Sequence, residues 1–115
     1  MYEYNAIIVR VYDGDTVWAD IDLGFGLWMK NQSIRLSGID VPEIRGENKE
    51  AGILARNRLE DLLMRVGNKC VIRTRKDKQR GNFGRILGEL LVVDKKVSLN
   101  QILIDEGFAV PYMKS

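Results

Sequence analysis

The chain has 115 residues and a mass of 13.1 kDa, with 45% hydrophobic and 30% charged residues, enough for one core of ordinary globular composition. It contains no histidine and a single cysteine, Cys70, which excludes Ser-His-Asp triads, Cys-His dyads, His-ligated zinc or haem, Cys-rich metal sites and an internal disulfide. Chemistry therefore falls to carboxylates, Lys, Arg, Tyr, hydroxyls or a cation that prefers oxygen ligands.

Residues Ala6 to Val11 alternate and are rich in β-branched side chains, Asp13-Gly14-Asp15 reads as a turn, and Thr16 to Ile21 alternates again. This is a hairpin, with Asp-Gly expected to supply the positive φ angles of a tight turn. Leu23-Gly24-Phe25-Gly26-Leu27 marks a bend, and Phe25 and Trp28 are expected to cap the core rather than to form a patch for a partner. A third strand runs from Trp28 to Ile39. After Pro42 the period changes: Ala51, Leu54, Ala55, Leu59, Leu62, Leu63 and Val66 recur at three- and four-residue spacing, an amphipathic helix with Asn48 as its cap and Gly67 at its end. Lys69 to Lys76 forms a fourth strand with Cys70 and Ile72 on its buried face, so Cys70 reads as a core residue. Residues 77–84 form a polar loop, and Arg85 to Val93 a fifth strand. Asp94-Lys95-Lys96 turns the chain into a short helix whose start, Ser98-Leu99-Asn100-Gln101, fits a capping box and whose end is Gly107.

The connections among the first strands are too short for parallel crossovers. The expected fold is therefore an α+β OB-fold: one domain over residues 1–115, a five-stranded barrel with a helix between strands 3 and 4 and a short helix after strand 5. No apolar run approaches the ~20 residues of a membrane span, and Met1 to Arg10 carries no basic leader pattern. The chain reads as soluble, with no membrane partner, cytoplasmic if complete and secreted if a leader has been removed.

Charge is unevenly spread. Between Lys69 and Arg85 lie Lys69, Arg73, Arg75, Lys76, Lys78, Arg80 and Arg85 against the single acid Asp77, a local balance of +6, so the remainder of a chain whose total is +2 carries −4. The basic stretch suits a polyanion, and the acidic remainder can hold a cation. Asp13-Gly14-Asp15-Thr16 places two carboxylates at a turn, and Asp40-Val41-Pro42-Glu43 places two more where the third strand ends. Four acids from two loops suit Ca²⁺ or Mg²⁺, which take carboxylate, carbonyl and water oxygens; taken singly, each pair is equally a stock turn or helix approach. Arg35 and Arg85 are the remaining polar residues that folding does not explain.

Val11-Tyr12-Asp13-Gly14-Asp15-Thr16-Val17, Ile34-Arg35-Leu36, Gly38-Ile39-Asp40-Val41-Pro42-Glu43 and Phe83-Gly84-Arg85 occur in the order and spacing of the staphylococcal nuclease (thermonuclease) family, which the chain resembles from about Ala6 to Tyr112. The resemblance implies a calcium-dependent nuclease that cuts DNA or RNA with little sequence specificity and leaves 3′-phosphates; a preference for single strands is expected because the bases must be reachable, and the chain is expected to be a monomer. The resemblance also implies one Ca²⁺ held by Asp15, Asp40 and the main-chain carbonyl of Val41, where the family often has Thr, with Asp13 in an outer shell. Glu43 resembles the residue that activates the attacking water, and Arg35 and Arg85 the two arginines on the scissile phosphate. Where the family commonly has Asp-Lys-Tyr, this chain has Gly81-Asn82-Phe83, which leaves Phe83 for stacking and Lys78 or Arg80 for charge. Tyr112 resembles a base-pocket aromatic, and the family's C-terminal helix has no counterpart before Ser115. The competing expectation is an OB-fold module that binds single strands without cutting; a protein-interaction domain using Leu23 to Trp28 is a third.

Overall fold

In β1 (Tyr2–Asp13) alternation sends Ala6 and Ile8 inward and leaves Ile7 and Val9 in solvent, the pattern of a strand with one wet face, until the register shifts between Ile8 and Arg10. The structure, a computed structural model, describes residues 1–75, 85–92 and 97–112. β1 pairs antiparallel with β2 (Thr16–Gly24), and β2 with β3 (Leu27–Leu36). The other edge of β1 takes β5 (Lys69–Thr74), with Ala6 opposite Cys70, and β5 pairs antiparallel with β6 (Ile86–Leu91). Closure comes from β6 running parallel to β3, Ile34 beside Ile86 and Leu36 beside Gly88. The order β1-β2-β3-β6-β5 is a closed, mixed five-stranded barrel, the OB arrangement expected from the pattern of elements.

Inward residues of every strand fill the barrel, among them Val17, Ala19, Ile34, Leu36, Ile72 and Leu90. Helix α1 (Lys49–Met64) packs Ala55, Leu59 and Leu63 onto this core, and α2 (Leu99–Asp105) adds Leu99 and Leu103. Each fully buried Leu or Ile contributes about 1.5 to 3 kcal/mol. Cys70 lies in the same core, where burial pushes its thiol up to about 12, so it packs and does not react.

Four expectations change on folding. The run from Trp28 to Ile39 is not one strand: Gly38, at φ +78°, turns the chain after Leu36, and Ile39–Asp40 forms a separate short strand, β4, paired with β7 (Val110–Pro111). Phe25 and Trp28 do not cap the core. The β2–β3 hairpin runs past the barrel, leaving Phe25 fully exposed at φ +56° and Trp28 at 40% exposure. Asn48 precedes α1 but its side chain makes no capping hydrogen bond. The capping box of α2 is half formed: Ser98 Oγ accepts from the Gln101 backbone N–H at 3.0 Å, whereas the Gln101 amide reaches forward to Asp105 at 2.8 Å. The polar loop 77–84 and the turn at 94–96 lie outside the described residues.

Ser98→Ala is expected to cost about 1 kcal/mol, the ordinary worth of such a cap. A urea titration should show a lower midpoint at constant slope, and an unchanged midpoint would mean the cap contributes nothing.

One buried polar side chain ties the short helix to the region around Arg35. Asn100 accepts from the Leu90 N–H at 3.1 Å and donates to the carbonyls of Ser37 and Gly88 at 2.8 and 3.3 Å. It thereby fixes the turn between β3 and β4, which Arg35 and Asp40 flank.

Candidate functional site

The turn between β1 and β2 is held by Asp13, whose Oδ1 accepts the Asp15 N–H at 3.0 Å. Gly14 does not have the expected positive φ. Glycine is required there for closeness instead: a Cβ would stand 2.8 Å from Ala55 Cβ and 3.1 Å from Val41 Cγ1. The bare backbone lets the turn settle between α1 and the segment after β4, which carries Asp15 toward Asp40. Asp15 is only 7% exposed, and its Oδ1 accepts the Thr16 hydroxyl at 3.2 Å. Burial, followed by hydrogen bonding and charge repulsion from Asp13, pushes its carboxyl up to about 7, with Arg35 and Thr16 pulling the other way.

Arg35 stands at the end of β3, where the turn at Gly38 exposes backbone carbonyls. Its Nη1 donates to the Leu36 carbonyl at 2.7 Å and its Nη2 to the Ile39 carbonyl at 3.0 Å. The same two nitrogens lie 3.3 Å from Asp15 Oδ2 and 3.6 Å from Asp40 Oδ1. One guanidinium thus spans the two acids contributed by different loops, with its Cζ 5.8 Å from the centre of the Tyr112 ring.

Arg85, entering β6, differs in kind. Its Nε is buried and has no hydrogen-bond acceptor among the described residues. Such a donor costs about 1 to 3 kcal/mol unless something accepts from it. Asp13, Asp15, Arg35, Asp40, Val41, Glu43 and Arg85 line a single cleft of ≈ 350 Å³, with Glu43 exposed at its rim. The expected site residues from four separate stretches of sequence therefore meet in one place. Tyr112 lies against Arg35, while Lys78, Arg80 and Phe83 fall outside the described residues. Tyr12, Trp18 and Ser33 also line the cleft and were not expected. The signal available for Trp18 was its phase: Val17, Ala19 and Ile21 point inward along β2, so Trp18 is a large aromatic on the outward face.

Among the described residues no group of three or more Asp, Glu, His or Cys side chains is arranged to hold a metal ion. The set the resemblance implies, Asp15, Asp40 and the Val41 main-chain carbonyl, would supply only oxygen ligands, and Asp15, Asp40 and Val41 all line this cleft. An oxygen-only set of that kind fits a hard divalent cation and does not fit zinc or copper.

The family model described as staphylococcal nuclease homologue matches residues 33–115. The chain belongs to the staphylococcal nuclease family. The matched segment carries Arg35, Asp40, Glu43 and Arg85 and begins within β3, so the turn with Asp13 and Asp15 lies ahead of it. No curated protein matches the chain in sequence. The closed barrel is that of a staphylococcal-nuclease-like OB-fold domain, and family membership places the chain among OB-fold nucleases and nucleic-acid-binding domains.

Proposed function

We propose that the chain is a metal-dependent phosphodiesterase that hydrolyses DNA or RNA with little sequence specificity, prefers unpaired strands and leaves 3′-phosphates. The observation that carries this reading is the meeting of Arg85 with the Asp15–Arg35–Asp40 cluster and Glu43 in one cleft. Two guanidiniums lining one cleft suit an anion such as a phosphodiester.

Asp15, Asp40 and the Val41 carbonyl would hold one Ca²⁺, whose positive charge offsets that of the phosphate and raises the acidity of nearby water. Arg85 donates from its guanidinium to a non-bridging phosphate oxygen. Arg35, already anchored on the Leu36 and Ile39 carbonyls, turns its remaining hydrogen-bonding capacity toward the same group. Glu43 accepts a proton from a water that attacks phosphorus in line. The new bond joins the water oxygen to phosphorus, the bond to the 5′-oxygen breaks, and that oxygen takes a proton from solvent. Both guanidiniums are most valuable in the five-coordinate transition state, where negative charge on the phosphoryl oxygens is greatest.

The test is direct. A labelled single strand should be cut in Ca²⁺, left intact in excess chelator, and cut again when Ca²⁺ is restored. Cutting that ignores the chelator would remove the cation from the mechanism, and salt-sensitive retention without cutting would make the chain a binding module.

A further inference from the structure

Three side chains on the outer face of the barrel extend the cleft beyond its phosphate end. Arg10 and Tyr12 are two apart on β1, and the Arg10 Cζ lies 5.7 Å from the centre of the Tyr12 ring. Trp18, on β2, is directly opposite Arg10 on one side and Ser33 on the other. Tyr12 and Trp18 are each half-buried, and both line the cleft that contains Arg35 and Arg85. Directly opposed residues on neighbouring strands have Cβ atoms about 4.5 to 5.5 Å apart, and Ser33 is too small to cover the indole. An aromatic wall with a cation beside it therefore borders the cleft that holds Arg35 and Arg85.

We infer that Tyr12 and Trp18 form a stacking subsite for an unpaired nucleobase next to the scissile phosphate, with Arg10 neutralising the adjoining backbone. The inference rests on the nucleic-acid reading of the cleft and adds a cause for the preference for single strands. A flat ring offers every base the same π-face, so such a wall is sequence-tolerant. It is blind to a duplex, whose bases already stack on one another. Continuity with the cleft identifies the occupant: a strand whose phosphate meets Arg35 and Arg85 brings its next base over β1 and β2. The charge of Arg10 matches a phosphodiester backbone.

The experiment measures binding of a fluorescein-labelled short oligothymidylate by anisotropy in excess chelator, where no cutting competes. Trp18→Ala and Tyr12→Ala should each weaken binding by about 5- to 150-fold, the range set by one lost base–aromatic stack. Trp18→Phe should restore most of it, and affinity for duplex DNA should stay constant. A second measurement does not depend on a truncated side chain. In Trp28→Phe, Trp18 is the sole tryptophan of a chain that has two, and its fluorescence should be quenched by the oligonucleotide but not by inorganic tripolyphosphate, which has no bases. Unchanged affinity in Trp18→Ala, or binding without quenching, overturns the subsite while leaving the cleft's function intact. A wild-type chain that neither binds nor cuts the oligonucleotide, with or without Ca²⁺, overturns the nucleic-acid reading and the subsite together.

Discussion

Arg85→Ala is expected to slow strand cleavage by about 10² to 10³, the usual effect of removing one preorganised donor to a developing oxyanion, with no loss of thermal stability. The second half of that statement follows from the buried Nε. Since no described residue accepts from it, deletion removes an unsatisfied donor instead of breaking a bond, and the melting temperature should hold or rise. Arg35→Ala is the instructive contrast. Its guanidinium serves the Leu36 and Ile39 carbonyls and lies against Asp15 and Asp40, so its loss strips partners from two carbonyls and leaves the buried Asp15 beside Asp13 without its nearest counter-charge. That variant should lose rate and stability together. Cleavage and melting measured side by side separate the two arginines. Wild-type turnover by Arg85→Ala in saturating Ca²⁺ would take that residue out of the mechanism, and a large fall in its melting temperature would make it a structural residue.

How far the sequence could be read depended on whether each feature was local. The barrel and its two helices were legible because alternation in β1, β2 and β5 and the three-to-four spacing in α1 are properties of neighbouring residues. The failures involve distant ones. Leu36 and Ile39 are both buried, three residues apart, which an unbroken alternating strand does not allow, and the turn that shifts the phase is pinned from afar by Asn100. Phe25 and Trp28 look like core residues by composition, yet the hairpin carrying them outruns the barrel, a matter of strand length relative to the rest of the sheet. Asp13-Gly14 has the composition of a positive-φ turn, whereas the constraint on Gly14 is the proximity of Ala55 and Val41. At the cleft, the motif residues were visible as short patterns, and their convergence is a property of the barrel. Trp18 belongs to no motif and Tyr12 sits in one without a role, and only knowledge of which strand face borders the cleft brings them out.

Gly52 shows the same limit and yields the sharpest test of how α1 supports the site. In an exposed helix interior Gly→Ala is stabilising by about 1 kcal/mol, because glycine has more backbone entropy to lose. Here the opposite sign is expected. Gly52 is buried where α1 crosses the Pro42–Glu43 backbone. A Cβ at this position would collide with the Glu43 carbonyl oxygen and stand 2.6 Å from both the Glu43 carbonyl carbon and the Pro42 oxygen. Those atoms are main chain and cannot rotate away, so either α1 lifts or the 41–43 segment moves. Overpacking of this kind costs about 1 to 3 kcal/mol. It also displaces the stretch that carries the Val41 carbonyl and the Glu43 carboxylate, and a shift of about 1 Å in a positioning element can cost about 10² in rate. Gly52→Ala should therefore melt below the wild type and, at a temperature where it is fully folded, cut single strands with a much lower kcat and a KM close to that of the wild type. If Gly52→Ala melts higher and cuts normally, helix propensity outweighs the contact, and α1 does not set the position of Glu43.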